Sequence, residues 1–385
     1  MSLEFKPTPI SSYLVKVHSR CNLMCDYCYE YNCGNTSWKQ KPREMDDKVY
    51  EQLLVRVKEH ALEHNITEIF FSFHGGEPLL RSSEFFTYAV NRAKDYLEPA
   101  TKISFGMQSN GTLLTGELID LMANLDISYG LSIDGPPHVH NKFRVYSNGD
   151  KSYEEAARGA RLLQSENGKK VSGGFLAVID VTEDPIEIFE HLAAFNPPSI
   201  DFLEPHATLD QMPRGKKNFK DESYGKWLIT LFDYWFDSSA NHIPIRKFEE
   251  LIEHIFGGSG SVESFGLEPV NLLTIATNGD VETVDCVKAS APNAHFLGLN
   301  IFDNTIDQVL THEMIKIRQI GIEALASECR SCELVAICGG GYFPHRFSQK
   351  NGYHNPTVYC QDYKILIKHI SSRIKTELYA APSKT

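Results

Sequence analysis

The sequence predicts an α/β protein built on a parallel sheet, and three observations carry that prediction. Apolar, strand-like runs at residues 13–17, 68–73, 102–108, 127–133, 172–179 and 200–203 alternate with stretches of helical period. The second, third and fourth runs each end in a polar or glycine-rich turn. Cysteines gather towards the two ends of the chain. Such alternation gives parallel strands covered by helices, as an open doubly wound sheet or a full or partial barrel, with ligands at the carboxyl ends of the strands.

The elements follow in order. The first strand runs into Cys21, Cys25 and Cys28, spaced C-x3-C-x2-C. Three thiolates so placed suit a four-iron cubane cluster with one iron left open to a ligand that is not cysteine. A structural zinc site completed by Cys33 is the competing reading, and buried small apolar thiols are a third. Val49, Leu53, Leu54, Val57 and Ala61 then recur at helical spacing, as do Leu118, Leu121, Met122 and Leu125 before the fourth strand.

The strand-end turns carry the next candidates. They are His74, Gly75, Gly76, Glu77 and Pro78 after strand two, Ser109, Asn110 and Gly111 after strand three, and Ser132, Asp134 and Gly135 after strand four. Glycine lets a ligand approach the backbone, while the carboxylates and hydroxyls offer hydrogen bonds to an amine, a ribose or a carboxylate. Ordinary βα turns look much the same singly; three of them behind a cysteine triplet point to a ligand.

Composition sets the limits. The 385 residues with 42% hydrophobic content support more than one module. Nine cysteines without a signal-peptide core predict a cytoplasmic, metal-binding chain, not a disulfide scaffold. No apolar run approaches the ~20 residues that span a bilayer, so no membrane is expected. A net charge of -12 excludes nucleic acid as the expected partner, and the basic run from Arg214 to Lys220 reads as a solvated loop. Near the far end, Cys329, Cys332, Cys338 and Cys360 can complete a metal tetrad; on spacing alone, zinc and iron-sulfur are equally served.

The cysteine triplet with Tyr27, the turn from 75 to 78, and Ser132-x-Asp134 followed by Arg144 resemble the radical S-adenosylmethionine (SAM) superfamily over residues 11–205. The resemblance implies a partial (β/α)6 barrel in which Cys21, Cys25 and Cys28 hold a [4Fe-4S] cluster. It further implies that Gly75, Gly76, Glu77 and Pro78 receive the methionyl amine, that Ser132 and Arg144 bind its carboxylate, and that Tyr27 and Leu176 lie near the adenine. Ser109, Asn110 and Asp134 complete the expected cofactor contacts. A 5′-deoxyadenosyl radical is the implied reagent, so the protein's work is positioning and exclusion of side reactions.

The spacing of Cys329, Cys332, Cys338 and Cys360 is similar to the auxiliary-cluster module called SPASM, which implies a second [4Fe-4S] cluster ligated wholly by protein. The chain departs from the full pattern: Tyr342 stands where a further cysteine belongs, residues 271–278 contain no cysteine, and only Cys286 lies near the hairpin of Asn278, Gly279 and Asp280. One auxiliary cluster is therefore expected, with Cys286 and Cys33 as ordinary thiols. The expected division is a barrel at 11–205, a bridging helical segment at 206–265 and a SPASM-like domain at 266–385.

Strings at 28–31, 37–42, 284–285, 338–346 and 355–360 look like those of FxsB-type, cyclophane-forming peptide maturases. That resemblance implies a ribosomally made precursor peptide cross-linked from an aromatic ring to a β-carbon, with a small electron-transfer protein as reductant. Asp285 is the expected proton-accepting base, ahead of His206 and His345. The first strand begins near residue 13, so leader recognition would fall to the barrel mouth, the bridging segment or a separate leader-binding protein. The alternative enzyme is an anaerobic sulfatase maturase that oxidises Cys or Ser to formylglycine; a zinc scaffold without catalysis is the other class.

Overall fold

The computed structural model describes residues 5–238, 243–260 and 263–380. Residues 239–242 and 261–262 of the expected bridging segment, and 381–385 of the expected C-terminal domain, lie outside the described residues. Nine strands form one sheet in the order β6-β5-β4-β3-β2-β1-β7-β8-β9. They are β1 (Ser12–His18), β2 (Glu68–Gly75), β3 (Lys102–Ser109), β4 (Ile127–Ser132), β5 (Ser172–Val178), β6 (Ile200–Leu203), β7 (Leu272–Ile275), β8 (Asp280–Glu282) and β9 (Phe296–Asn300). β1 through β5 each pair in parallel with the next strand, as the alternation predicts.

Helices α1 (Asp47–His64), α2 (Ser83–Leu97), α3 (Gly116–Leu125), α4 (Pro137–Phe143), α5 (Tyr153–Leu162), α6 (Glu166–Val171) and α7 (Pro185–Ala193) fill the connections. Local chemistry sets their limits. Asp46 accepts from the Val49 N–H at the start of α1, and Asn65 closes it in the left-handed region at φ 52°. Thr115 and Asp126 do the same for α3. The apolar stripe of α1 packs inward through Val49, Leu53, Leu54, Val57 and Ala61. Beneath it a file of rings crosses the sheet: Tyr13 on Phe71 at 5.6 Å, Phe71 on Phe105 at 5.7 Å, and Phe73 on Phe105 at 5.7 Å. Ring pairs of this kind add about 0.5–1.5 kcal/mol each beyond their buried area.

The sheet continues past the barrel strands. β7 pairs with β1 in parallel, Ser12 opposite Leu272, and β8 and β9 add antiparallel beyond it. Gly279, at φ 85°, makes the turn between β7 and β8, where a left-handed backbone favours glycine. Between β6 and β7, α8 (Ser223–Asp237) and α9 (Arg246–Ile255) pack against the C-terminal helix Cys360–Ala380. The Asp362 carboxylate accepts from the Gly225 N–H at 2.9 Å and from Lys216 at 2.5 Å, both within the core. No helix of the described residues is long and apolar enough to cross a membrane.

Candidate active site

The loop after β1 carries the cysteine triplet and is held from both sides. Gly76 and Glu77 donate their N–H groups to the carbonyls of His18 and Arg20, and Met24 and Asp26 donate to those of Val145 and Phe143. The two glycines of the β2 turn are therefore needed by the protein itself: a Cβ on Gly75 would stand 2.1 Å from the His18 carbonyl oxygen, and one on Gly76 1.9 Å from the Tyr31 hydroxyl. Cys21, Cys25 and Cys28 are all half-buried. Burial pushes their thiols up, Cys28 to about 12, and the Arg144 guanidinium pulls back on Cys25.

The expected SAM contacts surround this loop. The Glu77 carboxylate is buried; Oε1 accepts from Ser109 Oγ at 2.7 Å and Leu79 N at 3.0 Å, and Oε2 from Asn110 N at 2.9 Å. Oε2 keeps room for one further donor. Pro78 opens the short 3-10 turn that Glu77 caps. Asn110 turns its amide to Asn22 at 2.9 Å and to the Cys21 sulfur at 3.8 Å. Asp134 is a second buried hub: Oδ1 accepts from Val178 N at 3.0 Å, and Oδ2 from Arg144 Nε at 3.0 Å and from the Tyr27 hydroxyl. Arg144 lies 5.5 Å over the Tyr27 ring. Ser132 accepts from Gln108 at 2.8 Å and stands opposite Leu176 across the β4/β5 pair.

Asp285 lies where the two ends of the chain meet. It opens the 3-10 turn Asp285–Ala289 after β8, and its Oδ2 accepts from Tyr29 Oη at 3.0 Å, with Lys16 Nζ at 3.8 Å and His74 Nδ1 at 3.6 Å. Around it is a buried ion cluster: Lys16 bonds Glu30 at 2.9 Å and Glu282 at 3.1 Å, and Lys288 bonds the same two at 2.7 and 3.1 Å. Burial pushes the Asp285 carboxyl up, but the Lys16 and Lys288 ammonium groups outweigh it and hold the group below the ordinary carboxylate range. It is a buried anion beside the cysteine loop, in the protonation state a base requires. His206 packs edge-on to Tyr29 at 5.2 Å, and its Nδ1 stands 3.3 Å from His345 Nε2. Burial holds His206 down to about 4 and His345 well below its ordinary range, so the pair is neutral.

The structure thus brings Asp285, His206 and His345 into one region, joined through Tyr29. Lys16, Tyr29, Glu30, Glu282 and Lys288 were missed by sequence reasoning, and His74 was named only as part of its turn. Lys16 had a usable signal, since a lysine inside an apolar parallel strand has to find a buried counter-charge.

Cys329, Cys332, Cys338 and Cys360 all line one cavity of about 430 Å³, walled by Leu209, Phe219, Leu334, Val335 and Ile367 among others. Arg346 fastens the neighbouring glycine loop by donating to the Gly339 and Gly341 carbonyls. Among the described residues, the group of three or more His, Cys, Asp and Glu ligand atoms lying within 4.8 Å of one another is His60, His64 and Asp307; neither cysteine set closes to that spacing. Tetrahedral zinc, with Zn–S near 2.3 Å, needs sulfurs about 3.8 Å apart. A wider thiol set around a roomy, mainly apolar cavity fits a [4Fe-4S] cluster instead. Cys286 is apart from both sets, bonded to the Tyr342 hydroxyl.

The His60, His64 and Asp307 group is not itself shaped for a metal. The His60 Nε2 accepts the Ile10 N–H at 2.9 Å, so the neutral ring carries its proton on Nδ1 and donates it to Asp307 at 3.1 Å. No lone pair is left on that ring for an ion. The group is a clasp between α1 and the helix Ile306–Leu310.

The fold and the cysteine loop define a radical SAM barrel. Residues 15–193 match the profile of the radical SAM superfamily, and the cofactors are S-adenosylmethionine and [4Fe-4S] clusters. A cysteine-type anaerobic sulfatase-maturating enzyme of Clostridium perfringens is 28% identical over 378 residues, spanning 95% of this chain and 97% of that enzyme. A serine-type one of Bacteroides thetaiotaomicron is 25% identical over 390 residues, spanning 94% and 90%. The solved structure of native anSMEcpe with bound AdoMet and Cp18Cys peptide shares the fold at a TM-score of 0.80 and 24% identity, covering 96% of this chain and 98% of that one.

These similarities overturn the expected cyclophane chemistry. They run through nearly the whole chain and belong to sulfatase-maturating enzymes. The strings behind the earlier expectation lie on the cysteine loop, beside Asp285 and along the C-terminal cysteine module. Those segments are short and local, so they do not report which bond is made.

Proposed function

We propose that this chain oxidises the side chain of a Cys or Ser residue in a peptide segment of a protein substrate to formylglycine. Its full-length similarity to both cysteine-type and serine-type sulfatase-maturating enzymes is the observation that carries the reading. Cys21, Cys25 and Cys28 would hold the SAM-binding cluster, and Cys329, Cys332, Cys338 and Cys360 a single auxiliary one. When bound, these cofactors supply hydrogen-atom abstraction and one-electron acceptance.

The protein's own residues must manage the proton. Converting a CH2–OH to an aldehyde removes one hydrogen atom, one electron and one proton; with Cys the thioaldehyde is then hydrolysed by water, releasing hydrogen sulfide. Asp285 is the base that takes the proton from the substrate heteroatom. Its ionised state is maintained by Lys16 and Lys288, and Tyr29 fixes the direction of Oδ2. A small electron-transfer protein would serve as reductant, and the substrate peptide would enter at the carboxyl ends of the strands.

The test is anaerobic turnover of reconstituted protein with peptides spanning the target Cys or Ser of a sulfatase. A hydrazide-reactive aldehyde formed in step with 5′-deoxyadenosine is expected. Cofactor cleavage with no aldehyde on either peptide would overturn the reading. In Asp285→Asn, aldehyde formation should fall by about 10²–10⁴-fold, the usual worth of a general base, while 5′-deoxyadenosine still appears.

A further inference from the structure

We propose that His74 is the proton-relay partner of Asp285: it accepts the proton that Asp285 has taken from the substrate and releases it to solvent, restoring the carboxylate between turnovers. The inference rests on Asp285 being the base in the oxidation proposed above. His74 acts through Asp285, as a positioning and relay residue.

The geometry carries it. His74 stands one residue before the end of β2 beside Lys16 of β1, the two being direct partners in the strand pairing. Its Nδ1 lies 3.6 Å from Asp285 Oδ2 and has no hydrogen-bond partner. That is longer than a hydrogen bond, but catalytic pairs are commonly loose before substrate closes the site. The side chain is 18% exposed, so one face of the ring meets Asp285 while the residue still reaches the surface.

The other neighbours of Asp285 cannot do this. Lys16 is a cation already donating to Glu30 and Glu282 and has no lone pair. Tyr29 spends its one proton on Oδ2. Glu30, Glu282 and Lys288 are bound up in the ion cluster. His206 faces the Tyr29 ring and pairs with His345.

The step balances without a further reagent. The Asp285 O–H bond breaks and an Nδ1–H bond forms; the Nε2–H proton then leaves to water, and a ring flip with proton exchange to water returns the neutral Nε2–H tautomer, its Nδ1 again an acceptor, before the next turnover. The charged groups facing His74 are Lys16 on β1, Glu30 on the cysteine loop, and Asp285 and Lys288 on the 3-10 turn. Burial, with Lys16 and Lys288, keeps the ring neutral and receptive, while Asp285 and Glu30 pull the other way.

Two measurements on the reconstituted holoenzyme test this. In His74→Gln, steady-state aldehyde formation should fall at least tenfold while the first turnover stays near that of the unaltered protein, and added imidazole should restore the steady-state rate. An unchanged steady state, or a loss that imidazole does not restore, overturns the relay. Independently of turnover, exchange of the histidine C2 hydrogen followed by mass spectrometry reads the proton affinity of His74. Asp285→Asn should lower that affinity about tenfold or more, since an opposite charge within ~4–6 Å is worth that much; no change overturns the coupling. If the unaltered protein makes no aldehyde, the oxidation fails while the exchange measurement still judges the pair. If aldehyde forms and imidazole has no effect, the relay alone fails.

Discussion

Tyr29 Oη donates to Asp285 Oδ2 at 3.0 Å across 256 residues of sequence. The donor is next to Cys28 and the acceptor next to Cys286, so one hydrogen bond ties the cysteine loop to the exit of β8. Any movement of that loop is felt at Asp285.

Lys16 should prove the costliest single charge to remove. Lys16→Met leaves Glu30 and Glu282 short of a buried cation, and breaking such a cluster from one side costs about 3–5 kcal/mol. Both carboxyls are held below their ordinary value against burial by Lys16 and Lys288. Their stabilisation is thus complete above about pH 4.5 and is lost as pH falls through the depressed folded values. Denaturant melts should show a large deficit for the variant at pH 7 that narrows below pH 4. The acid limb of turnover should also move upward, because Asp285 loses its nearest cation.

The seven ligand cysteines should separate cleanly by iron content. Replacing any of Cys21, Cys25 and Cys28 by Ala should remove about four irons and abolish SAM cleavage, whereas Cys332→Ala should remove about four irons and leave SAM cleavage intact. Cys33→Ser and Cys286→Ser should leave the iron content unchanged. Metal analysis beside 5′-deoxyadenosine assays distinguishes these outcomes.

Gly76→Ala tests the packing of the cysteine loop. The added methyl meets the Tyr31 hydroxyl at 1.9 Å and the Arg20 carbonyl carbon at 2.4 Å. The second of these is backbone, so the loop must shift and overpacking should cost about 1–3 kcal/mol. Loss of the SAM-binding cluster with retention of the C-terminal one is expected, read as iron content halved.

The clasp at His60 should open with acid. Burial lowers the His60 pKa against the pull of Asp307, so its stabilisation is present above about pH 6.5 and is lost as pH falls through the lower folded value. Protonation of Nε2 ends the bond from Ile10 N–H. Amide exchange at Ile10 should accelerate below pH 6 in the native chain and be fast at all pH values in His60→Phe.

The strands were legible because a strand buried on one face repeats its large apolar residues at every second position, as Ile127, Tyr129, Leu131 and Ile133 do. The cysteine sets were legible because ligand spacing is local. Asp285 could be found beside its hairpin, but its surroundings could not: Lys16, Glu30 and Glu282 come from three distant segments, and a charge network has no sequence period. His74 stood in a turn singled out for its glycines, with nothing to show which way the ring points. The reaction itself was misread because cluster-binding strings are short, whereas the substrate chemistry follows similarity spread over the whole chain.

The pairing of β1 with β7 also bears on how the chain folds as it is made. β1 leaves the ribosome more than 250 residues before β7, yet its second edge is closed by Leu272 and its neighbours. Until those residues emerge, the nascent sheet carries an open central strand with unsatisfied backbone groups, the kind of edge that recruits other chains. A high-contact-order closure of this sort makes the last strands, not the first, the step that commits the molecule. Truncation before β7 should therefore yield aggregation where a self-contained barrel would have stayed dispersed.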